Sequence, residues 1–457
     1  MKNIIKKIKE NRFLFVVFGI NFAMAFLAFI YFIVRGGGLF TQSYDFNAQE
    51  LSFNMLANQA IKNGDVFWNW NIDIGSDFVE TYSFYNIGSP FFWITLLFPA
   101  SAFPYIVGWV YMLKYAVAGL LSYIFIKRFV KNRHAALIGS MLYAFSGFQS
   151  CNLLFYHFHD VVALFPLLLI GLEKLQTEKK KGIFAFAVFI NCLVNYFFFI
   201  GEVFFIIIYY VVRFLVPEWK EVKKQVKITA LKVTNCIIEG VIGVMMAGVL
   251  FVPSILSVLN NPRVGEHING NEALVYNTEN VLQIIKGLFF PSEGMQSQAS
   301  ITEMNWYSIA AYLPLVGMFL VLAYVMNKKK DWISNLLKVS LVIACIPLLN
   351  NLFVMFTREY YRRWYYMPIL IMALASALVI EKREEFKIKK PFIITMIFMA
   401  GYVAYMALYP WNYSNTEESG VRNMKLFLAI AVVALGGVIL TYLLHKKAGH
   451  HYMRILS

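Results

Sequence analysis

The stretch FLFVVFGINFAMAFLAFIYFIV, residues 13–34, determines the class to which this protein belongs. It holds no charged side chain, and a helix of this length crosses the roughly 30 Å hydrocarbon core of a bilayer. The apolar run is longer than the core of a signal peptide, and no small-residue cleavage site follows it. We therefore interpret it as a retained first transmembrane helix.

The rest of the chain has the same character. Of its 457 residues, 59% are hydrophobic and only 15% are charged, which excludes an ordinary soluble protein. We predict an all-α polytopic membrane protein with about twelve transmembrane helices, forming a single integral membrane domain over 1–457. The candidate helices lie near 13–34, 103–126, 135–154, 160–172, 182–200, 203–216, 228–256, 306–326, 333–356, 364–380, 391–410 and 424–444.

Lysine and arginine are concentrated in alternate loops between these helices. The predicted cytoplasmic segments hold 31 of the 41 basic residues, so the positive-inside rule places both termini in the cytoplasm. The net charge of +15 is then a consequence of topology and does not indicate a nucleic acid partner. These segments are 1–12, 127–134, 173–181, 213–232, 327–338, 381–390 and 445–457.

The first predicted external loop, 35–102, is too long to be a simple connection, and long structured loops often carry function. Asp45, Gln49 and Ser52 are spaced i, i+4 and i+7 in it, which predicts an amphipathic helix over 45–60 along the outer interface. The tryptophans and tyrosines that follow suit the depth of the lipid headgroups.

A second long external loop is predicted at 257–305. Its first part is polar and rich in turn residues, and VLQIIKGLFFP, residues 281–291, has the pattern of another interfacial helix.

The first external loop carries six carboxylates, and a solvated side chain is the simpler interpretation for each one. Asp45 differs because it follows the first transmembrane helix closely, at the depth of the headgroups. A carboxylate there can take a proton from a hydroxyl brought to the membrane surface. The six are Asp45, Glu50, Asp65, Asp73, Asp77 and Glu80.

The sequence HFHD, residues 157–160, places two histidines and Asp160 at a helix boundary near the outer face. Metal binding is one interpretation, but the i, i+2 spacing directs His157 and His159 to different faces of a helix. We therefore favour interfacial hydrogen bonding or contact with a phosphate group.

The apolar run 182–216 is too long for one crossing and is interrupted by Gly201 and Glu202. We predict a helical hairpin with this Gly-Glu pair at its outer tip. A carboxylate is costly in hydrocarbon, so Glu202 either reaches water at the tip or lines a cavity.

The sequence TREYYRRWYYMP, residues 357–368, places Arg358, Arg362 and Arg363 on the predicted outer side, against the positive-inside bias. Snorkelling to headgroups is the simpler interpretation. Guanidinium groups beside aromatic rings also suit a lipid phosphate, and we favour that interpretation.

Several motifs occur together and in order along most of the chain. They are SYDFNAQ (43–49), YSFYNIGSPFFW (82–93), YAFSGF (143–148), FHDVVALFPLLLIGLEKL (158–175), NYFFFIGE (195–202) and RRWYYM (362–367). In this combination the chain resembles the YfhO-type bacterial membrane proteins, a family of GT-C-like glycosyltransferases. Many of these relatives are longer, with a large external region toward the C-terminus.

The resemblance implies a GT-C-like helix bundle in the bacterial cytoplasmic membrane. It also implies transfer of a sugar, on the outer face, from a polyprenyl-phosphate carrier to an envelope glycopolymer such as lipoteichoic or wall teichoic acid. The first-loop aspartate of the family, Asp45 here, is then the general base.

The predicted substrate contacts form two groups around this base. The contacts to the donor phosphate are Arg362, Arg363, His157 and His159. The contacts to the sugar or acceptor are Gln49, Asp77, Tyr82, Trp68, Trp70, Asp160 and Glu202. Fixed donors can stabilise a phosphate monoester leaving group, so no cofactor is required, and a divalent cation is left open.

Two other functional classes fit a polytopic protein of this kind. A flippase or exporter of a lipid-linked saccharide would show broken helices and several intramembrane charges, of which the sequence offers chiefly Lys114 and Glu239. A non-catalytic partner of an envelope complex would tolerate replacement of Asp45.

Overall fold

Helices dominate the structure, a computed structural model that describes residues 2–72, 74–259, 267–292, 307–357, 360–408 and 424–447. Asp73, Arg358 and two parts of the second predicted external loop, 260–266 and 293–305, lie outside these residues. The chain divides into two compact units. The first comprises Met1–Phe125, Leu154–Ile207 and Phe214–His267, and the second Ile126–Leu153, Ile208–Arg213 and Ile268–Ser457.

The α-helices are numbered in chain order. They are α1 (Lys2–Arg35), α2 (Ser52–Asn63), α3 (Phe78–Tyr82), α4 (Pro90–Thr95), α5 (Phe103–Ile126), α6 (Arg133–Ala144), α7 (Gly147–Cys151), α8 (Phe158–Glu178), α9 (Ile183–Val194), α10 (Tyr196–Tyr210), α11 (Trp219–Lys224), α12 (Val226–Met246), α13 (Gly248–Leu259), α14 (Thr278–Phe289), α15 (Phe319–Asn327), α16 (Trp332–Cys345), α17 (Pro347–Asn351), α18 (Tyr366–Glu381), α19 (Lys389–Leu408) and α20 (Met424–Lys447).

Shorter elements join these helices. Two-residue strands β1 (Trp68–Asn69) and β2 (Ser76–Asp77) pair antiparallel, with Trp68 opposite Asp77. The π-helical turns are Phe46–Leu51 and Val211–Leu215, and the 3₁₀ turns are Ala100–Ala102, Gly270–Ala273, Leu352–Val354 and Arg383–Glu385.

The all-α membrane character predicted from the sequence is confirmed. Within the described ranges, six helices are long and apolar enough to cross a bilayer, or seven if α16 and the segment after it, bent by 104°, count as one span. The figure of twelve, which includes shorter apolar helices, stays a prediction. The six are Arg12–Arg35, Ala100–Ile126, Tyr196–Leu215, Val226–Met246, Lys389–Leu408 and Met424–Lys446.

In the first unit, the predicted hairpin tip at Gly201-Glu202 is wrong, because α10 runs through both residues. The chain breaks instead at Asn195, whose backbone is extended and whose side chain accepts hydrogen bonds from the Phe197 and Phe198 amides at 3.1 and 3.2 Å. Because Asn195 caps the helix in this way, α10 starts there and continues through Gly201 and Glu202 without a break.

Glu239, in the candidate span α12, has a structural role in the same unit. Its carboxylate accepts hydrogen bonds from the Gly182 and Ala185 amides at 2.9 and 3.2 Å, at the start of α9. These amides lack partners within their own helix, so a carboxylate from the neighbouring helix satisfies them. Gly243, one turn later, allows the close approach, because a Cβ there would lie 2.5 Å from the Ala185 carbonyl oxygen.

Helix α18 forms the core of the second unit. All of its residues from Tyr366 to Ile380 are buried, as expected of a helix that is apolar on every side. Helices α6, α15 and α16 pack against it. The sharp bend after α16 follows from Pro347 at the first position of α17 and is held by Trp364, whose indole donates to Asn350 at 2.9 Å.

Both segments predicted to form interfacial helices are helical, and their position at the membrane interface stays a prediction. The first is formed by the π-turn Phe46–Leu51 and α2, and the second by α14. Helix α2 buries polar residues as well as apolar ones: Asn58 donates to the Thr95 carbonyl at 3.1 Å, which fastens the helix to the segment around α4.

Candidate active site

Asp45 lies at the start of a distorted turn. Tyr44, just before it, has φ +55°, a left-handed conformation that is uncommon for a residue with a side chain. Asp45 is the N-terminal boundary of the π-turn, is half-buried, and makes no capping hydrogen bond. Such local strain and π-turns concentrate at functional sites.

The predicted single stripe of Asp45, Gln49 and Ser52 is wrong in detail. The segment is helical as predicted, but its first turn is π-helical, so α-helical spacing does not apply across it. Gln49 is half-buried, and it is Glu50 that points inward.

Glu50 pairs with one of the two predicted histidines. Its Oε1 lies 2.7 Å from His157 Nδ1, and the two side chains are 2% and 4% exposed. His157 is the N-terminal boundary residue of α8, so the first external loop is joined to the start of a helix 107 positions later in the sequence.

A second buried pair lies one turn further along α8. Lys114 Nζ is 2.5 Å from Asp160 Oδ1 and donates to the Tyr156 carbonyl at 2.9 Å. The Ser89 hydroxyl also bonds the Asp160 carboxylate. Asp160 lies in the first turn of α8, where the helix dipole favours a negative charge.

The two histidines diverge as their spacing predicts. The His159 ring is buried against Tyr111 and Tyr115, with ring centroids 4.9 and 5.6 Å away, while His157 faces Glu50. Across the described ranges, no three His, Cys, Asp or Glu side chains gather in a way that would hold a metal ion.

The motif YNIGSP connects the loop to this cluster. Gly88 approaches the backbone so closely that a Cβ would lie 1.8 Å from the Leu193 carbonyl oxygen. Ser89 caps α4 by accepting from the Phe91 and Phe92 amides, and Pro90 occupies the first helical position.

The remaining predicted contacts of the first loop differ in exposure. Trp68 and Trp70 are 54% and 75% exposed, with rings 5.7 Å apart in an edge-to-face arrangement. Asp77 caps α3 through a hydrogen bond from the Glu80 amide at 2.9 Å. Tyr82 is buried in the loop core, and this burial raises its pKa to about 12. The tryptophans are therefore more accessible to a ligand than Tyr82.

Glu202 is fully buried within α10 of the first unit, so the alternative of an exposed tip is wrong. The physical reason is the position of the break at Asn195, which leaves Glu202 in the second turn of the helix.

The predicted arginines belong to the second unit. Arg362 is fully buried, its guanidinium lies over the Tyr276 ring at 4.5 Å, and it donates to the Tyr360 carbonyl. No group in the described part of the chain accepts a well-aligned hydrogen bond from its Nε or Nη2. Arg363 is half-buried and stacks on Tyr361 at 3.9 Å.

An apolar groove with a volume of about 130 Å³ lies in the second unit, between α15, α16 and α18. Trp364 and Tyr365 line it, and the Tyr365 hydroxyl lies beside the Arg362 guanidinium. A buried cation therefore adjoins a groove that is almost entirely apolar.

Sequence reasoning underrated two members of the buried cluster. The sequence does not distinguish Glu50 from the other five carboxylates of the first external loop, and it shows Lys114 only as an intramembrane charge. The available signal was the isolation of Lys114 in an apolar helix, because a buried lysine requires an anionic partner.

Comparisons with known proteins agree on one family. The family profile described as "Bacterial membrane protein YfhO" matches residues 17–457. The chain is also similar to a Bacillus subtilis (strain 168) protein named "Uncharacterized protein YfhO", with 24% identity over 269 residues. That match covers 54% of this chain and 30% of the relative's length. No solved structure matches the chain.

Proposed function

The chain belongs to the YfhO family of bacterial membrane proteins, and from this premise we propose that it is a membrane glycosyltransferase. It moves a sugar from a polyprenyl-phosphate carrier to an envelope glycopolymer of the lipoteichoic or wall teichoic acid type, on the outer face of the cytoplasmic membrane. A GT-C-like bundle of about twelve transmembrane helices with cytoplasmic termini is part of this proposal.

The proposed reaction needs one base and one set of phosphate contacts. Asp45 takes the proton of the acceptor hydroxyl while the acceptor oxygen bonds to the anomeric carbon. The bond from that carbon to the phosphate oxygen breaks, and polyprenyl phosphate leaves with the electron pair. A single displacement of this kind inverts the anomeric centre.

The setting of Asp45 is the observation that carries the proposal. The carboxylate is partly accessible, has no capping role, and sits on a strained turn. The inner side of this turn is tied to α8 by the buried Glu50–His157 pair. A carboxylate that is fixed but not consumed by structural bonds suits a general base.

The second unit offers the features that a phosphorylated lipid requires. Arg362 provides a buried guanidinium whose Nε and Nη2 have no well-aligned acceptor among the described residues, and the adjoining groove suits an isoprenoid chain. Each feature supports the proposal separately.

The test is transfer in proteoliposomes that hold the purified protein, a radiolabelled polyprenyl-phosphate sugar and an acceptor polymer. Asp45→Asn should lower the transfer rate by about 10²–10⁴-fold, the usual contribution of a general base. Asp65→Asn, at an exposed position of the same loop, is the matched control and should transfer normally. Unchanged transfer by Asp45→Asn would remove Asp45 from this role.

Buried charges of the first unit favour one alternative, a flippase or exporter of the lipid-linked saccharide. Lys114, Asp160 and Glu202 are all at most 1% exposed, and intramembrane charges of this kind line transport paths in some membrane proteins. The same proteoliposomes separate the two functions, because a flippase would move label across the bilayer without attaching it to the polymer. A non-catalytic partner would do neither.

A further inference from the structure

The turn after Asp45 is π-helical, although its sequence pattern favours an α-helix. A π-turn accommodates one extra residue and is rare outside single-turn insertions. Something in the surrounding structure therefore selects it over the α-helical alternative.

Three side chains anchor the inner side of the turn: Phe46, Glu50 and Leu51 are buried. Phe46 packs on the rings of Phe40 and Tyr111, with centroids 5.8 and 6.2 Å away. Glu50 instead meets His157. An apolar side chain would fill that place without the cost of burying a carboxylate, so stability alone does not explain Glu50.

The hydrogen bond supplies direction, which an apolar contact lacks. A change from the π to the α register moves each later side chain by one helical position, or about 100°. The Glu50 carboxylate would then turn away from His157. Buried polar groups select register in this way in coiled coils.

His157 provides a rigid reference for that choice. Its ring is enclosed by Phe84, Tyr85 and Phe158, with centroids 4.8, 5.2 and 4.8 Å away. Because the ring cannot swing to follow a displaced carboxylate, the 2.7 Å bond to Glu50 exists only in one register.

We propose that Glu50 and His157 are positioning residues that hold the Asp45 turn in its π register and so fix the direction of the base. The inference rests on the proposed function, in which Asp45 removes the acceptor proton. The register itself can be measured without any turnover.

Two substitutions of Glu50 distinguish the effect of its hydrogen bond on the position of Asp45 from the effect of its negative charge. Glu50→Gln keeps an oxygen that accepts from His157 Nδ1–H, and Glu50→Met fills the space without an acceptor. We expect Gln to retain most of the transfer rate and Met to lose about 10²-fold, the loss that a misplacement of about 1 Å can cause.

Carboxyl footprinting by mass spectrometry reports the register directly. Carbodiimide labelling of Asp45 should change in Glu50→Met and stay at the wild-type rate in Glu50→Gln. Asp65, exposed in the same loop, is the internal control and should label equally in all three proteins. If Glu50→Met does not fold, Glu50→Met with His157→Leu removes both polar partners, a change that is often nearly neutral for stability.

The outcomes are distinct. Wild-type labelling of Asp45 in the Met variants would overturn the proposal, whatever the turnover. Loss of transfer in Glu50→Gln with unchanged labelling would also overturn it, because Glu50 would then act through its charge. If the wild-type protein transfers no sugar, the proposed function fails, while the footprinting result still decides the role of the pair.

Discussion

Lys114 Nζ lies 2.5 Å from Asp160 Oδ1, and both side chains are withdrawn from solvent. Burying either charge alone is costly, whereas the pair with its further hydrogen bonds to Tyr156 and Ser89 is tolerated. The pair therefore ties the middle of α5 to the start of α8, next to the Glu50–His157 contact.

Breaking this pair should destabilise the protein more than removing it. Asp160→Asn leaves the Lys114 ammonium buried without its counter-charge and should cost about 3–5 kcal/mol, while Lys114→Met with Asp160→Leu should recover most of that loss. Thermal unfolding in detergent measures both. Lys180→Met, at the exposed pair with Glu178, is the control and should change stability by less than about 1 kcal/mol.

Gly88→Ala should disrupt the first unit. Its Cβ would lie 1.8 Å from the Leu193 carbonyl oxygen, and a backbone atom cannot rotate away. We expect at least the ~1–3 kcal/mol typical of overpacking, seen as a lower unfolding temperature and a lower yield of folded protein. Gly240→Ala has no atom within 4 Å of its new Cβ, so it should be neutral or stabilising, and equal effects of the two variants would contradict this explanation.

The sequence was sufficient for the features that follow from hydropathy and periodicity. The first helix, the helical segment after it and α14 were predictable because a long apolar run and an amphipathic pattern both favour a helix. The π-turn at 46–51 was not, because the hydrogen bond that selects it joins Glu50 to His157, far along the chain.

The same reason explains the other differences. Gly201-Glu202 appears in the sequence as a stronger break than Asn195, but the capping bonds of Asn195 decide where α10 starts. Asp45 stood out among the loop carboxylates because of its position after the first helix. The burial of Glu50 depends on tertiary packing that one sequence does not display.

Lys286 should make stability depend on pH. It is buried in α14, and this burial lowers its pKa from an ordinary 10.5 to about 7, with Cys151 nearby acting in the opposite direction. Between these two values the unfolded chain binds the proton and the folded protein does not. The free energy of unfolding is therefore higher at high pH and decreases as pH falls toward about 7. Below that, the lysine is protonated in both states and the dependence ends.

Lys286→Met is the test of that dependence. As pH rises from about 7 to about 9.5, the free energy of unfolding of wild type should increase by on the order of 3 kcal/mol relative to that of this variant. Thermal unfolding of both proteins at each pH measures the difference. Lys338→Met, at an exposed position of α16, is the control and should follow wild type. Parallel pH curves for wild type and Lys286→Met would contradict the assignment.

Arg362→Lys should weaken binding of a phosphorylated isoprenoid without unfolding the second unit. Lysine keeps the positive charge but loses the planar fork and the stacking on Tyr276. We expect a loss of about 1.5–3 kcal/mol, the value of a charged hydrogen bond, in the affinity for undecaprenyl phosphate measured in detergent. Arg133→Lys, at an exposed position of α6, is the matched control.

Undecaprenol, which lacks the phosphate, separates the two parts of the site, because its binding should depend on the groove and should not change when Arg362 is replaced. If Arg362→Lys binds both lipids as wild type does, the guanidinium is not the phosphate contact, and the groove has to be tested by a filling substitution such as Ala344→Trp, which should block both lipids.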